Sequence, residues 1–98
     1  MSSIEGLNKA FENRVRLGIM ATLITGEWFD FNELKEQLDT TDGNLSSHIT
    51  TLIRCGYVKN RKKFINNKPN TSYMITDKGR IAFMAHIAGL EEIVKKTK

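Results

Sequence analysis

The stretch FNELKEQLDTTDGNLSSHITTLIRCGYV, Phe31 to Val58, decides the fold. Leu34 and Leu38 stand four residues apart, the spacing of one buried helical face. Asn32 supplies an N-cap for a helix from Glu33 to Leu38, with acids in its first turn as the helix dipole prefers. Asp39, Thr40 and Thr41 form a short turn. Thr41 or Asp42 then caps a second helix, which runs to Cys55 and stops at Gly56. Along it Leu45, Ile49, Leu52 and Ile53 recur at i, i+4, i+7 and i+8, one buried stripe. Two short helices across a tight turn form a helix-turn-helix pattern over residues 32–55.

Upstream, Ile4, Leu7 and Phe11 fall at i, i+3 and i+7, which predicts a first helix over residues 3–12. Asn13 caps a further helix to about Thr25, with Gly26 placed to end it in a left-handed turn. Trp28, Phe29 and Phe31 make an aromatic segment long enough for one small strand. Downstream of Gly56 the period changes from helical to extended. Tyr57 to Ile65 and Thr71 to Ile75 are rich in strand formers and flank Asn66-Asn67-Lys68-Pro69-Asn70, read as the loop of a hairpin. Thr76 or Asp77 caps a last helix over residues 77–96. These elements fit one α+β domain over residues 1–98, of four to five helices and two to three strands.

Charge is unevenly placed. Residues 1–42 carry 4 basic and 8 acidic side chains, whereas residues 43–76 carry 6 basic side chains and no acid. An acid-free stretch of 34 residues in a chain with net charge +4 suits a polyanion. The longest apolar run, Ile81 to Ala85, is five residues, against roughly 20 for a membrane span. The start of the chain lacks the basic and apolar regions of a signal peptide, and the lone Cys55 points to a reducing compartment. The expectation is a cytoplasmic protein, in which the Asn-x-Ser sequons at Asn44 and Asn70 are chance.

The outward face of the 42–55 helix carries Gly43, Asn44, Ser47, Thr50, Thr51 and Arg54, flanked by Ser46 and His48. Small hydroxyl and amide groups let a helix sit deep in a major groove and reach base edges. A merely solvated helix more often carries Glu–Lys pairs. In the hairpin, Lys59, Arg61 and Lys63 alternate on one face, Lys62 faces the other way and Lys68 sits in the loop, an arrangement suited to a phosphate backbone or minor groove. Lysines that protect an edge strand would give the same pattern. The candidate DNA-binding residues are therefore Asn44, Ser46, Ser47, His48, Thr50, Thr51, Arg54, Arg61, Lys62, Lys63 and Lys68.

The runs NRVRLGIMATLI (Asn13–Ile24), FNELKEQL (Phe31–Leu38), TDGNLSSHI (Thr41–Ile49) and TSYMITDKGR (Thr71–Arg80), with Leu52 and Gly56-Tyr57-Val58, together resemble the winged-helix transcriptional regulators of the MarR/ArsR type. The likeness is greatest to a compact subgroup of winged-helix DNA-binding domains and covers about residues 7–90. It implies a dimer, a recognition helix matching Gly43–Cys55 and a wing matching Tyr57–Thr76. The subgroup tends to have Asn-Pro where this chain has Asn13-Arg14, and arginine near the wing tip where it has Asn67-Lys68-Pro69-Asn70.

The last helix is more apolar than one buried face requires. Phe83, Ile87, Leu90 and Val94 follow a 4-3-4 seam, while Ile81, Met84, Ala85 and Ala88 lie on a neighbouring face. The expected two-fold interface joins Ile4, Leu7 and Phe11 to Phe83, Ile87, Leu90 and Val94; coverage of the second face by the same chain's first helix is the alternative. Catalysis is not expected: Ser47 and His48 diverge by about 100° on their helix and lack a third partner. Cys55, His48 and His86 form no metal-ligand cluster, and no glycine-rich phosphate loop is present, so no metal or cofactor is expected. Cys55 reads as a packing residue, and His86 as a surface or interface residue.

The leading expectation is a homodimeric, sequence-specific regulator that binds double-stranded DNA. A winged-helix protein-interaction module and a non-specific DNA-binding protein are the alternatives. RNA binding is disfavoured because Tyr57, Phe64 and Tyr73 are expected to pack inward. Any small-molecule effector would have to bind at the dimer interface.

Overall fold

The computed structural model describes residues 6–96. After a 3-10 turn, Lys9–Phe11, come α1 (Arg14–Leu23), β1 (Phe29–Asp30), α2 (Phe31–Leu38), α3 (Asp42–Arg54), β2 (Val58–Ile65), β3 (Lys68–Ile75) and α4 (Asp77–Lys96). The three strands are antiparallel in the order β1-β3-β2. This is an α+β winged helix: a helical body, a hairpin running out from it, and a long final helix.

Local chemistry sets most boundaries. The Asn13 side chain accepts from the amides of Val15 and Arg16, two donors that the first turn of α1 would otherwise leave bare. Gly26, at φ 85°, turns the chain after α1, and Gly56, at φ 82°, does so after α3. For α2 the cap is Asp30, not Asn32, so the helix begins at Phe31. Asp30 accepts from the Glu33 amide at 2.8 Å while the Glu33 carboxylate accepts from the Asp30 amide at 3.0 Å. That reciprocal box satisfies two backbone donors, whereas Asn32 in the first turn could satisfy none so well. Thr41 caps α3 by accepting from the Asn44 amide.

The core gathers one face from every helix: Ile19, Met20 and Leu23 of α1, Leu34 of α2, and Leu45, Ile49 and Leu52 of α3. Val58 and Ile75, a cross-strand pair at the root of the hairpin, close it beside Phe83 of α4.

The hairpin turns at Asn66 and Asn67 alone, both left-handed (φ 53° and 62°). This two-residue turn matches strand twist and favours asparagine at both positions. Lys68 and Pro69 therefore belong to β3, opposite Ile65 and Phe64, and not to a five-residue loop. Ladder alternation places Pro69 in a non-hydrogen-bonded pair, where its missing N–H costs nothing.

The expected helix over residues 3–12 is not formed among its described residues. Asn8 is extended, and the 3-10 turn follows it. Three of its four polar groups are committed as follows: the side-chain oxygen accepts from the Ala10 amide, the side-chain nitrogen donates to the Tyr57 hydroxyl, and the backbone N–H donates to Nδ1 of His86. His86 is consequently buried rather than at the surface. Phe11 lies edge-on to Phe83 and His86, with ring centres 5.6 and 5.3 Å apart.

Thr76 locks α4 to the body. Its N–H donates to the Tyr57 carbonyl, its hydroxyl donates to the Gly56 carbonyl, and its hydroxyl oxygen accepts from the Gly79 amide. Arg80 reaches back to donate to the Ile24 carbonyl at the end of α1. Among the described residues no helix is long and apolar enough to cross a membrane.

Candidate nucleic-acid interface

Burial of Leu45, Ile49 and Leu52 fixes the rotation of α3, so the opposite face must be presented outward. Gly43, Asn44, Ser46, Ser47, Thr50 and Arg54 are exposed and Thr51 is half-buried. The hydroxyls of Thr50 and Thr51 donate to the carbonyls of Ser46 and Ser47, at 2.9 and 3.1 Å. Their protons are thus taken up inside the helix, which leaves each hydroxyl oxygen as an acceptor beside its own methyl group. Asn44, Ser46 and Ser47 retain donors as well, so the face combines donors, acceptors and methyls, the vocabulary of major-groove readout. Asp42, at the start of α3, pairs with Lys35 at 2.7 Å, which keeps the acid on the α2 side.

His48 is half-buried, and its Nδ1 lies 3.0 Å from Nη1 of Arg16. Arginine can only donate, so Nδ1 is the acceptor and the ring proton sits on Nε2. Arg16 is held in turn by its Nε, which donates to the Ala10 carbonyl at 2.7 Å. His48 is therefore braced at the edge of the face rather than free upon it. The sequence reading did not single out Arg16; its place opposite His48 depends on how α1 crosses α3. Cys55 is half-buried at the α3 C-cap.

In the wing, Arg61, Lys62, Lys63 and Lys68 are all exposed. Among the described residues the one ion pair is Lys35–Asp42, so none of these four meets a carboxylate there. Arg61 stacks on Trp28, 4.1 Å from the ring centre, and Lys59 lies 5.8 Å from the same ring. The register explains this: Phe29 pairs with Tyr73 facing the core, so Trp28 and Asp30 turn to the other side, which Arg61 also occupies opposite Ser72. Trp28 was missed as a site residue because that contact appears only once β1 is registered on β3. Phe64 does not pack inward as expected; it is 79% exposed, while Tyr57 and Tyr73 are half-buried.

Of the residues expected at a dimer surface, Ile4 lies outside the described residues. Phe11 and Phe83 are only 1% and 5% exposed and belong to the chain's own core, which leaves them no surface for a partner. Leu7 packs against Gly89 of α4. Ile87 is half-buried, and Leu90 and Val94 are exposed on the last turns of α4. The N-terminal segment of the same chain thus covers the first half of the seam, and Ile81 and Met84 stay exposed on the opposite side of α4.

A helix-turn-helix whose second helix shows a small polar face, followed by a basic hairpin and a long closing helix, defines a winged-helix nucleic-acid-binding protein. Residues 15–94 match the family described as winged helix DNA-binding domain, and the chain belongs to that family. An uncharacterized protein of Methanocaldococcus jannaschii is 41% identical over 87 residues, spanning 89% of this chain and 95% of that protein. The structure of a transcriptional regulator homologue from Pyrococcus horikoshii superposes with a TM-score of 0.83 at 36% identity, covering 91% of this chain and 88% of that one. The YusO protein of Bacillus subtilis shares the fold, with a TM-score of 0.78 at 16% identity over 98% of this chain and 67% of its own. Further structural neighbours with the same fold include the transcriptional regulator PA4135, with a TM-score of 0.70 at 13% identity over 96% of this chain and 71% of its own. The chain is thus a homologue of winged-helix DNA-binding transcriptional regulators, a family that is not enzymatic.

Proposed function

We propose that the chain is a homodimeric regulator that reads the sequence of double-stranded DNA. α3 enters the major groove, with Asn44, Ser46, Ser47, Thr50 and Thr51 toward base edges, Arg54 at its end and His48 on the flank. The wing follows the backbone and adjoining minor groove through Arg61, Lys62, Lys63 and Lys68. The observation that carries this reading is the exposed, acid-free polar face of α3, continuous in sequence with an acid-free basic hairpin. Side chains this short bring the helix backbone close to the bases, which sequence reading requires and backbone neutralisation alone does not.

Dimerisation is assigned to the last turns of α4. Ile87, Leu90 and Val94 line a shallow groove with Glu91 and Lys95. Leu7, packed against Gly89, adjoins this surface; Phe11 and Phe83 do not contribute. A second copy related by a two-fold axis would place two recognition helices in successive major grooves, about 34–36 Å apart.

Titration of a labelled duplex by fluorescence anisotropy at several salt concentrations tests the reading. Tight binding whose logarithm falls linearly with the logarithm of salt is expected. No binding at any salt would transfer the basic face to an acidic protein partner.

A further inference from the structure

The far end of the wing holds two large apolar side chains in water. Phe64 is 79% exposed and Ile65 is 52% exposed. As successive strand residues they point to opposite faces of the hairpin. Phe64 stands opposite Pro69 and Ile65 opposite Lys68, with only the Asn66-Asn67 turn beyond them. The tip is therefore a narrow blade with an apolar side chain on each face. Lys62, Lys63 and Lys68 flank it, and residues 43–76 hold no acid. Phe64 is absent from the hydrophobic core, so the fold does not need it there. Left in water beside an open strand edge it is a hazard for strand pairing, which an occupant at the tip would remove.

We propose that Phe64 is a wedge: the wing tip enters the minor groove of duplex DNA and Phe64 inserts against a base step, unstacking it and bending the duplex. The inference rests on the DNA-binding reading above and deepens it. Charge selects the occupant, because three lysines around an apolar tip fit a groove walled by phosphates better than a neutral or basic protein surface. Shape agrees. Two strands with their side chains are wider than a minor groove of about 6 Å, so entry demands that the groove open, which unstacking a step achieves. Phenylalanine, isoleucine and proline are among the side chains that minor-groove proteins drive between bases. The tip amides of Asn66 and Asn67 can meet the acceptors that every A·T pair shows on that side. At the root, Arg61 stacked on Trp28 stiffens the hairpin, so the blade is delivered on a braced support.

The test uses the full chain and a duplex of about 30 base pairs, the length over which bending is measurable. It carries the best-bound sequence of a random-duplex selection, a fluorophore pair on its ends and 2-aminopurine at the steps facing the wing. The wild-type chain should bend it by at least about 20° and brighten 2-aminopurine at one step. Phe64→Ala should keep its thermal stability, lose both signals and bind about tenfold more weakly, equivalent to about 1.4 kcal/mol. Phe64→Leu should retain most of the bend. Phe64→Lys should hold the duplex at low salt without bending it, which separates a wedge from one more charge. A straight duplex under the wild-type chain, or an unchanged bend with Phe64→Ala, overturns the wedge and leaves DNA binding intact. Failure of the wild-type chain to bind any duplex overturns both.

Discussion

Gly79→Ala probes the joint on which the wing and α4 both depend. A Cβ built on Gly79 would fall inside contact distance of the Tyr57 carbonyl oxygen and 2.9 Å from both the Cα and the carbonyl carbon of Tyr57. All three are backbone atoms, so no rotamer change relieves the clash. The same carbonyl accepts from the Thr76 amide at 3.0 Å, and Gly79 itself donates to the Thr76 hydroxyl. Forcing α4 away costs roughly 1–3 kcal/mol for overpacking. Weakening the Thr76–Tyr57 bond adds about 1 kcal/mol. Alanine's better helix propensity returns about 1 kcal/mol, which leaves a net loss of roughly 1–3 kcal/mol. For a domain of this size each kcal/mol shifts the midpoint by about 4–8 °C, so Tm should fall by roughly 10 °C. The assay is thermal unfolding by circular dichroism at fixed protein concentration, since a dimer's midpoint depends on it. Gly43→Ala is the control: nothing lies within 4 Å of a Cβ there, so it should raise Tm by a few degrees. A Gly79→Ala protein as stable as wild type would refute the close approach of α4 to Tyr57.

Asn44→Ala or Ser47→Ala should relax base preference in a selection, whereas Lys62→Ala or Lys68→Ala should weaken all duplexes alike and lower the salt slope by about 1. The reverse pattern would exchange the roles of helix and wing. Leu90→Glu, on an exposed position of α4, should leave the fold intact and shift sedimentation at micromolar concentration from dimer to monomer; an unchanged dimer would place the interface elsewhere. Burial raises the Tyr73 hydroxyl above its ordinary value of 10.0. The fold therefore favours the neutral phenol: this contribution is complete below pH 10, and is lost as pH rises through the elevated folded value. Tyr73→Phe should flatten that alkaline decline in urea unfolding, and an identical decline would assign it to other groups.

Where the fold was legible, the determinants were local. The stripe Leu45, Ile49 and Leu52 fixed both the helix and its outward face, and Asn13, Thr41, Gly26 and Gly56 marked ends that the structure keeps. Asp30 and Asn32 are equally good caps by type, and the choice between them turned on which one Glu33 could answer. Pro69 suggested a loop, but two adjacent asparagines already complete a turn and a non-bonded strand position accepts proline. The periodicity of Ile4, Leu7 and Phe11 could not reveal that Asn8 commits its polar groups to Tyr57, His86 and Ala10. Nor does a 4-3-4 spacing say whose side chains it meets: Phe83 meets Phe11 of its own chain. The α3 face needed a helical wheel alone, whereas the Trp28–Arg61 stack and the Arg16–His48 bond needed strand register and a helix crossing.

Whether two copies of α3 read sequence together is decided by selecting bound duplexes from a random library at near-physiological salt. The expected product is a palindromic motif with half-site centres one helical turn apart, about 10 base pairs, with the strongest preferences under α3. Recovery of unenriched sequences, with binding that vanishes as salt rises, would contradict sequence reading by that helix.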